Sequence, residues 1–261
     1  MRATAVRRTA LAASAACLAL LATACGGSDS GDKGASAAPG SKDDAGKGKS
    51  AIKALTTAEL EKASLEQGDV DGYKISRTGP EDIASPEAVT VDKKECEPVG
   101  FAFYGVKRGT PVGNAGRKVV EEPKKKKTAP GDLKDAMTGA LDMTSSLVTL
   151  ASYDGDGAEK NLAELRESAA ACATGGFGLS MKDTKQTITS ITEEKVTGGD
   201  EAVAWRVQMG KGESAVPFKL VALRKGGTVA TFFSFNLGAT GEKSDFDKPT
   251  AVIDAQAGKL G

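Results

Sequence analysis

The four cysteines are the residues of this chain best suited to chemistry, because a thiolate can act as a nucleophile, bind a metal or form a disulfide. They are Cys17, Cys25, Cys96 and Cys172. The chain contains no histidine, so catalysis of the Ser-His-Asp or Cys-His kind and zinc sites built on imidazole have no residues to use. No GxGxxG motif follows a predicted strand and no GxxxxGK[ST] motif occurs, so no nucleotide cofactor is expected. The surroundings of each cysteine therefore decide its role.

The first 24 residues predict a secretory signal peptide. Arg2, Arg7 and Arg8 form a basic start, and a run of mainly Ala and Leu follows over residues 9–24. This run is shorter than the roughly 20 residues that a membrane-spanning helix needs; an ordinary membrane anchor or a buried helix is the alternative. Arg7 and Arg8 could also belong to a twin-arginine export signal. A plain basic segment is the simpler interpretation of these two residues.

Residues 21–25, Leu-Ala-Thr-Ala-Cys, resemble the lipobox of bacterial lipoproteins. They depart from its commonest form in having Ala22 three residues before the cysteine. The resemblance implies cleavage before Cys25, attachment of diacylglycerol to its sulfur, and acylation of the new amino group by a fatty acid such as palmitate. Two or three acyl chains hold a protein durably where one does not. We therefore expect Cys25 to anchor the chain in the lipid bilayer of the cell membrane, on the extracytoplasmic side.

A polar segment follows this anchor. Residues 26–50 carry no aromatic or large aliphatic side chain, so they cannot bury enough apolar surface to fold. We predict a lipidated cysteine and disordered tether over residues 25–52, with a reach of about 25–30 Å. One folded domain is expected over residues 53–261, after a signal peptide over residues 1–24. The abundance of Ala and Gly is typical of a GC-rich, actinobacterial source.

The charges of the chain balance, with 35 basic and 35 acidic residues. This balance argues against a nucleic-acid partner. Lys124–Lys127 forms the one basic block, between Pro123 and Pro130. We interpret this block as a solvated loop, with a site for an anionic partner as the alternative.

Cys96 and Cys172 remain in the expected mature protein. An oxidising compartment favours a disulfide between them, and two separately buried thiols are the alternative. Apolar residues at helical spacing place Cys172 on the buried face of a predicted helix; they are Ala158, Leu162, Leu165 and Ala169.

Two capping boxes predict helix starts, one from Thr56 and Glu59 and one from Asp156 and Glu159. Further helices are expected over residues 93–106 and from about residue 246, with Pro249 near its first turn. Strands are predicted over residues 73–77, near residues 117–120, and over residues 140–153, where the odd-numbered positions share one face.

Four more alternating runs are separated by Gly-containing turns and predict an antiparallel meander; they cover residues 186–196, 203–209, 218–222 and 229–237. The expected fold class is α+β, an antiparallel sheet with one face covered by helices. Trp205, Phe233 and Phe235 are expected on core faces. Phe232 points the opposite way, where a cleft would let it contact an apolar ligand.

The sequence Asp154-Gly155-Asp156 contains part of a calcium-loop pattern, but the pattern is incomplete and lacks its closing Glu. A turn followed by a helix cap explains these residues better, so we predict no metal site. Scattered acids such as Asp132, Asp135 and Asp142 show no register that would pair them for catalysis.

The folded part resembles the PknH-like extracellular sensor domain of actinobacterial kinases and lipoproteins. Three features carry the resemblance, namely a cysteine on an early helix, the stretch SYDGDGAEKNLAELRESAAACATGGF, and a closing meander with GDEAVAWRV and LRKGGTVATFFSF. It implies an α+β domain with a disulfide, a cleft and an undefined ligand. The chain departs from kinases of this family in carrying no kinase domain and no second cysteine pair.

These observations predict a membrane-anchored binding or sensor module that recognises an unknown ligand or protein at the cell surface and is not an enzyme. A carrier that shields a lipid or other apolar ligand in a cavity between sheet and helices is the alternative. An enzyme that uses only carboxylates, Ser or Lys is the least favoured interpretation.

Overall fold

The computed structural model describes residues 52–123 and 141–261. The predicted signal peptide, Cys25, nearly all of the predicted tether and the lysine block at residues 124–127 lie outside these ranges, and their assignments stay predictions. Within the described ranges, no helix combines the length and the apolar character that a membrane crossing requires.

Nine strands of the described residues form one open sheet in the order β1-β3-β4-β9-β8-β7-β6-β5-β2. Every neighbouring pair is antiparallel. The predicted meander is confirmed, because β5 to β9 are sheet neighbours in chain order. The strands are β1 (Tyr73–Arg77), β2 (Val89–Val91), β3 (Gly113–Glu121), β4 (Thr144–Ser152), β5 (Phe177–Met181), β6 (Thr184–Glu194), β7 (Glu201–Met209), β8 (Val216–Lys225) and β9 (Thr228–Asn236).

Four α-helices accompany the sheet within the described residues. They are α1 (Thr57–Lys62), α2 (Glu97–Phe103), α3 (Gly157–Ala171) and α4 (Thr250–Lys259). Short 3-10 turns occur at Pro86–Ala88, Lys94–Cys96 and Gly212–Ser214. The fold class is therefore α+β, as predicted.

The first capping box is confirmed. The Glu59 N–H donates to Thr56 Oγ1 at 3.3 Å, and the Thr56 N–H donates to the Glu59 carboxylate at 2.8 Å. The second capping box was wrong, since Asp156 makes no capping hydrogen bond and instead pairs with Lys160 at 3.0 Å. One turn of helix separates these two side chains, so the ion pair takes the carboxylate that the cap would have used.

Helices cover both faces of the sheet. The first core lies between the sheet and α2 and α3, and it includes Trp205, Leu220 and Ala222. The second core lies between the sheet and α1 and α4, and it includes Val221 and Phe232. Because successive side chains of a strand point to opposite faces, β8 contributes side chains to both cores. The expectation of helices on one face was therefore wrong.

Strand β4 is confirmed, but its more buried face is the even-numbered one. Val148 and Leu150 are buried in the second core, whereas Leu147 on the odd-numbered face is only half-buried. The even-numbered face also buries serines, because hydrogen bonds satisfy them: Ser146 Oγ lies 2.7 Å from Ser234 Oγ. Alternation alone could not rank two faces that are both covered.

Candidate functional site

Two concave sites occupy opposite faces of the sheet, and each contains a buried cationic atom. The first lies on the face of the first core and is named here the Arg108 cavity. The second lies on the face of the second core and is named the Lys219 network. They differ in how their charges are compensated.

The loop between α2 and β3 forms one wall of the Arg108 cavity. Gly105 takes a positive φ of 63°, and a Cβ there would lie 3.0 Å from Thr149 Cγ2, so the glycine lets the loop lie close against β4. Tyr153 and Asn161 form the opposite wall, after β4 and on α3. Gly157 permits that turn, because a Cβ there would lie 2.7 Å from the Cβ of Tyr153.

Hydrogen bonds hold Arg108 against α3. Its Nη2 donates to the backbone oxygen and to the side-chain oxygen of Asn161. The Tyr153 hydroxyl donates to the Arg108 backbone oxygen at 2.9 Å and accepts from Asn161 Nδ2 at 2.9 Å. The Arg108 Nη1 atom is buried and has no hydrogen-bond partner among the described residues. The guanidinium therefore keeps a buried donor nitrogen without a partner among the described residues.

The Arg108 cavity is positively charged. The described residues that line it include Lys107 and Arg108 and no Asp or Glu. Burial lowers the pKa of Arg108, while Tyr153 and Glu164 partly oppose that shift. Burial also raises the pKa of Tyr153. Both directions indicate a site where water screens charge poorly.

The Lys219 network compensates its charges internally. Lys219 is 2% exposed, and its Nζ lies 2.5 Å from the Glu194 carboxylate and 2.8 Å from that of Asp245. Lys248 contacts Glu194 at 2.9 Å, and Arg206 contacts Asp245 at 3.3 Å. Every cation of this network thus contacts an acid.

The acids of the network are held ionised. Burial alone would raise the pKa of Glu194, but its bonds to Lys219 and Lys248 outweigh burial and lower the pKa. The pKa of Asp245 is lowered in the same way, because Lys219 and the Phe246 N–H outweigh the effect of burial. Both carboxylates are therefore ionised near neutral pH and balance the charges of the cations that they contact.

The structure places Cys96 and Cys172 together in the first core as a disulfide with a Cα–Cα distance of 5.9 Å. Cys96 immediately precedes α2 and Cys172 immediately follows α3. The bond therefore links α2, whose following loop contains Arg108, to α3, which contains Asn161. Peptide mapping under non-reducing conditions tests this pairing.

The predicted aromatic residues are divided between the two cores. Trp205 is buried in the first core, as expected. Phe233 and Phe235 are only half-buried, and Phe233 stacks on Phe218 at 5.0 Å between ring centroids. Phe232 has no exposed surface and lies in the second core. The idea that Phe232 lines a ligand cleft was therefore wrong, because α1 and α4 cover that face.

Asp154 and Asp156 hold local structure. The Asp154 carboxylate accepts the Ala54 N–H at 3.0 Å, and Gly155 has a positive φ of 59° that suits the turn. No group of three or more possible metal ligands occurs within residues 52–123 and 141–261.

Sequence reasoning missed Arg108 and Lys219. Arg108 stands in the segment Gly-Val-Lys-Arg-Gly, which reads as an ordinary surface loop. Lys219 gave one signal, because it is a charged residue inside an apolar strand. A sheet with one covered face would have left this position in solvent, so the signal did not indicate burial.

Comparison with known proteins gives a likeness to a solved structure and none to a family model or a curated protein. No family model matches this chain, and no curated protein matches it. The crystal structure of the extracellular domain of PknH from Mycobacterium tuberculosis is similar with a TM-score of 0.47 and 12% sequence identity, over 80% of this chain and 96% of that chain.

Proposed function

We propose that this chain is a lipid-anchored extracytoplasmic module that binds a ligand without transforming it. Acylated Cys25 is the anchor, residues 25–52 are the tether, and residues 53–261 carry the binding site. A sensor role at the cell surface, as in the PknH-like family that the sequence resembles, fits this arrangement.

The observation that carries the proposal is the pairing of Cys96 with Cys172 in the first core. Both side chains are buried, with 0% and 2% exposure, and disulfides of this kind persist in oxidising compartments outside the cytoplasm. The bond therefore supports the same location as the basic start, the apolar run and Cys25.

Two further features support binding rather than catalysis. The chain has no histidine, and Lys219, Glu194 and Asp245 are engaged with each other. The Arg108 cavity, in contrast, offers a charged donor without a partner among the described residues. Such a donor suits recognition of a ligand.

The carrier alternative receives less support from the two concave sites. A cavity needs roughly 10–15 Å³ to hold one water, and the Arg108 cavity has about 40 Å³, too little for an acyl chain. The groove beside the Lys219 network has about 350 Å³, but five of its six lining residues are charged: Glu194, Lys219, Asp245, Asp247 and Lys248.

Membrane fractionation of Cys25→Ala tests the anchor. We expect this variant to leave the membrane fraction or to accumulate as an uncleaved precursor, because no other residue takes the acyl chains in this proposal. Cys17→Ala is the matched control. In this proposal Cys17 is cleaved off with the signal peptide, so we expect this variant to be anchored normally. Normal processing and full membrane retention of Cys25→Ala would contradict the proposal.

A further inference from the structure

We infer that the Arg108 cavity binds the carboxylate group of a small organic acid. This inference rests on the proposed function and specifies its ligand class. Its basis is twofold: Arg108 lines a cavity that contains no acidic residue, and its buried Nη1 has no partner among the described residues.

The first step concerns charge. An arginine remains protonated at any physiological pH, and Arg108, which is half-buried with a fully buried Nη1, has no acidic residue beside it in the lining. The described acid whose field acts on Arg108 is Glu164, an exposed residue that forms no ion pair with it. Lys107 adds a second positive charge to the lining. An anion from outside would neutralise this charge.

The second step concerns hydrogen bonding. Asn161 holds Nη2, so the guanidinium is oriented before any ligand arrives, and less side-chain entropy is lost on binding. The lining also presents the hydroxyls of Thr149 and Thr231 from neighbouring strands. Neither hydroxyl donates a hydrogen bond to another described residue, which leaves both available to a carboxylate oxygen.

The third step concerns size. A volume of about 40 Å³ admits a group of a few heavy atoms, at roughly 10–15 Å³ for one water. A carboxylate fits this limit, and the remainder of the acid would extend through the mouth of the cavity. A tetrahedral phosphate is bulkier, so the cavity favours the planar anion.

Isothermal titration of the full chain in detergent with sodium acetate, at constant ionic strength, tests the inference. We expect acetate to bind with a dissociation constant of about 1–10 mM, as suits one charged contact, and inorganic phosphate to bind more weakly. Arg108→Gln should weaken acetate binding about tenfold or more. Arg77→Gln is the matched control, because the Arg77 side chain is 73% exposed and lies outside the cavity.

Asn161→Asp provides a second variant that keeps Arg108. Its new carboxylate would neutralise the guanidinium and should weaken acetate binding, even if Arg108→Gln fails to fold. The inference is overturned if acetate does not bind the wild type, if phosphate binds more tightly, or if acetate binds Arg108→Gln and Asn161→Asp as it binds the wild type. Any of these results would leave the membrane fractionation of Cys25→Ala unaffected, so the two proposals fail separately.

Discussion

Arg108 and Arg117 are close in sequence, and both contribute buried guanidinium atoms on opposite faces of one sheet. Arg117 is 3% exposed and uses its whole guanidinium. Its Nε donates to the Leu65 oxygen at 2.7 Å, and its Nη1 donates to the Gly116 oxygen at 2.9 Å. Its Nη2 lies 3.0 Å from the backbone oxygen and 2.9 Å from the carboxylate of Glu61. Arg108 donates only to neutral acceptors, and its Nη1 has no hydrogen-bond partner among the described residues.

These two arginines differ in how many of their guanidinium donors the fold itself uses. Arg117 donates to backbone oxygens at and beyond the end of α1, and these bonds stabilise the fold. Lys219 resembles Arg117, because Glu194 and Asp245 neutralise it. Arg108 donates only to Asn161, and its Nη1 has no partner among the described residues.

Removal of the disulfide should have the largest effect on stability. The effect should be strongest in the first core, on the face of the sheet where Arg108 lies. A loop of 76 residues separates the two cysteines, and replacing both with alanine should lower the free energy of unfolding by about 4 kcal/mol. Acetate binding should weaken as well, because the bond links α2 to α3. Urea unfolding of the full chain measures the first effect, and two alkylatable thiols in folded wild-type protein would contradict the pairing.

Arg117→Met should have the next largest effect. The substitution removes one donor from each of three backbone oxygens and breaks the ion pair with the Glu61 carboxylate, so the free energy of unfolding should fall by about 3 kcal/mol. Arg108→Met is the matched control and should change it by less than about 1 kcal/mol, since the buried charge it removes has no carboxylate partner. Equal losses in the two variants, measured by urea unfolding, would remove the distinction between the arginines.

The smallest expected effect on stability is the pH dependence that Glu194 of the Lys219 network contributes. The pKa of Glu194 lies below its ordinary value of 4.5, so its stabilising charge is fully present above that value and is lost as pH falls through the lower, folded-state pKa. Glu194→Gln should therefore lose about 1 kcal/mol near pH 7 and progressively less below about pH 4.

Urea unfolding across this pH range measures that difference. Arg108→Gln is the control, because arginine does not titrate there, and its difference from wild type should stay constant. A loss for Glu194→Gln that is unchanged at low pH would contradict the role given to its carboxylate.

Local sequence signals predicted most of the fold. The hairpin between β8 and β9 followed from Gly226-Gly227, where Gly226 takes a positive φ of 54°. The start of α1 followed from Thr56 and Glu59. These features depend on residues a few positions apart, so the sequence specifies them directly. Strand β5 (Phe177–Met181) was not predicted, since it is short and begins directly after Gly175-Gly176 in the loop that follows α3.

The candidate site was not predictable, because its residues meet only through the tertiary fold. Arg108 and Asn161 come from a loop and a helix separated by β3 and β4, and no sequence spacing joins them. The assignment of Phe232 failed for a related reason. Alternation reports which residues share a face of a strand, but not whether a distant helix such as α4 covers that face.

Nuclear magnetic resonance of the full chain in detergent, labelled with ¹⁵N-arginine, tests the central claim most directly, since both arginines report from one sample. During an acetate titration, we predict that the side-chain signals of Arg108 shift and saturate while those of Arg117 stay fixed. An Arg108 signal that does not move, or equal shifts at both arginines, would contradict the claim that the Arg108 cavity is a binding site and Arg117 a structural one.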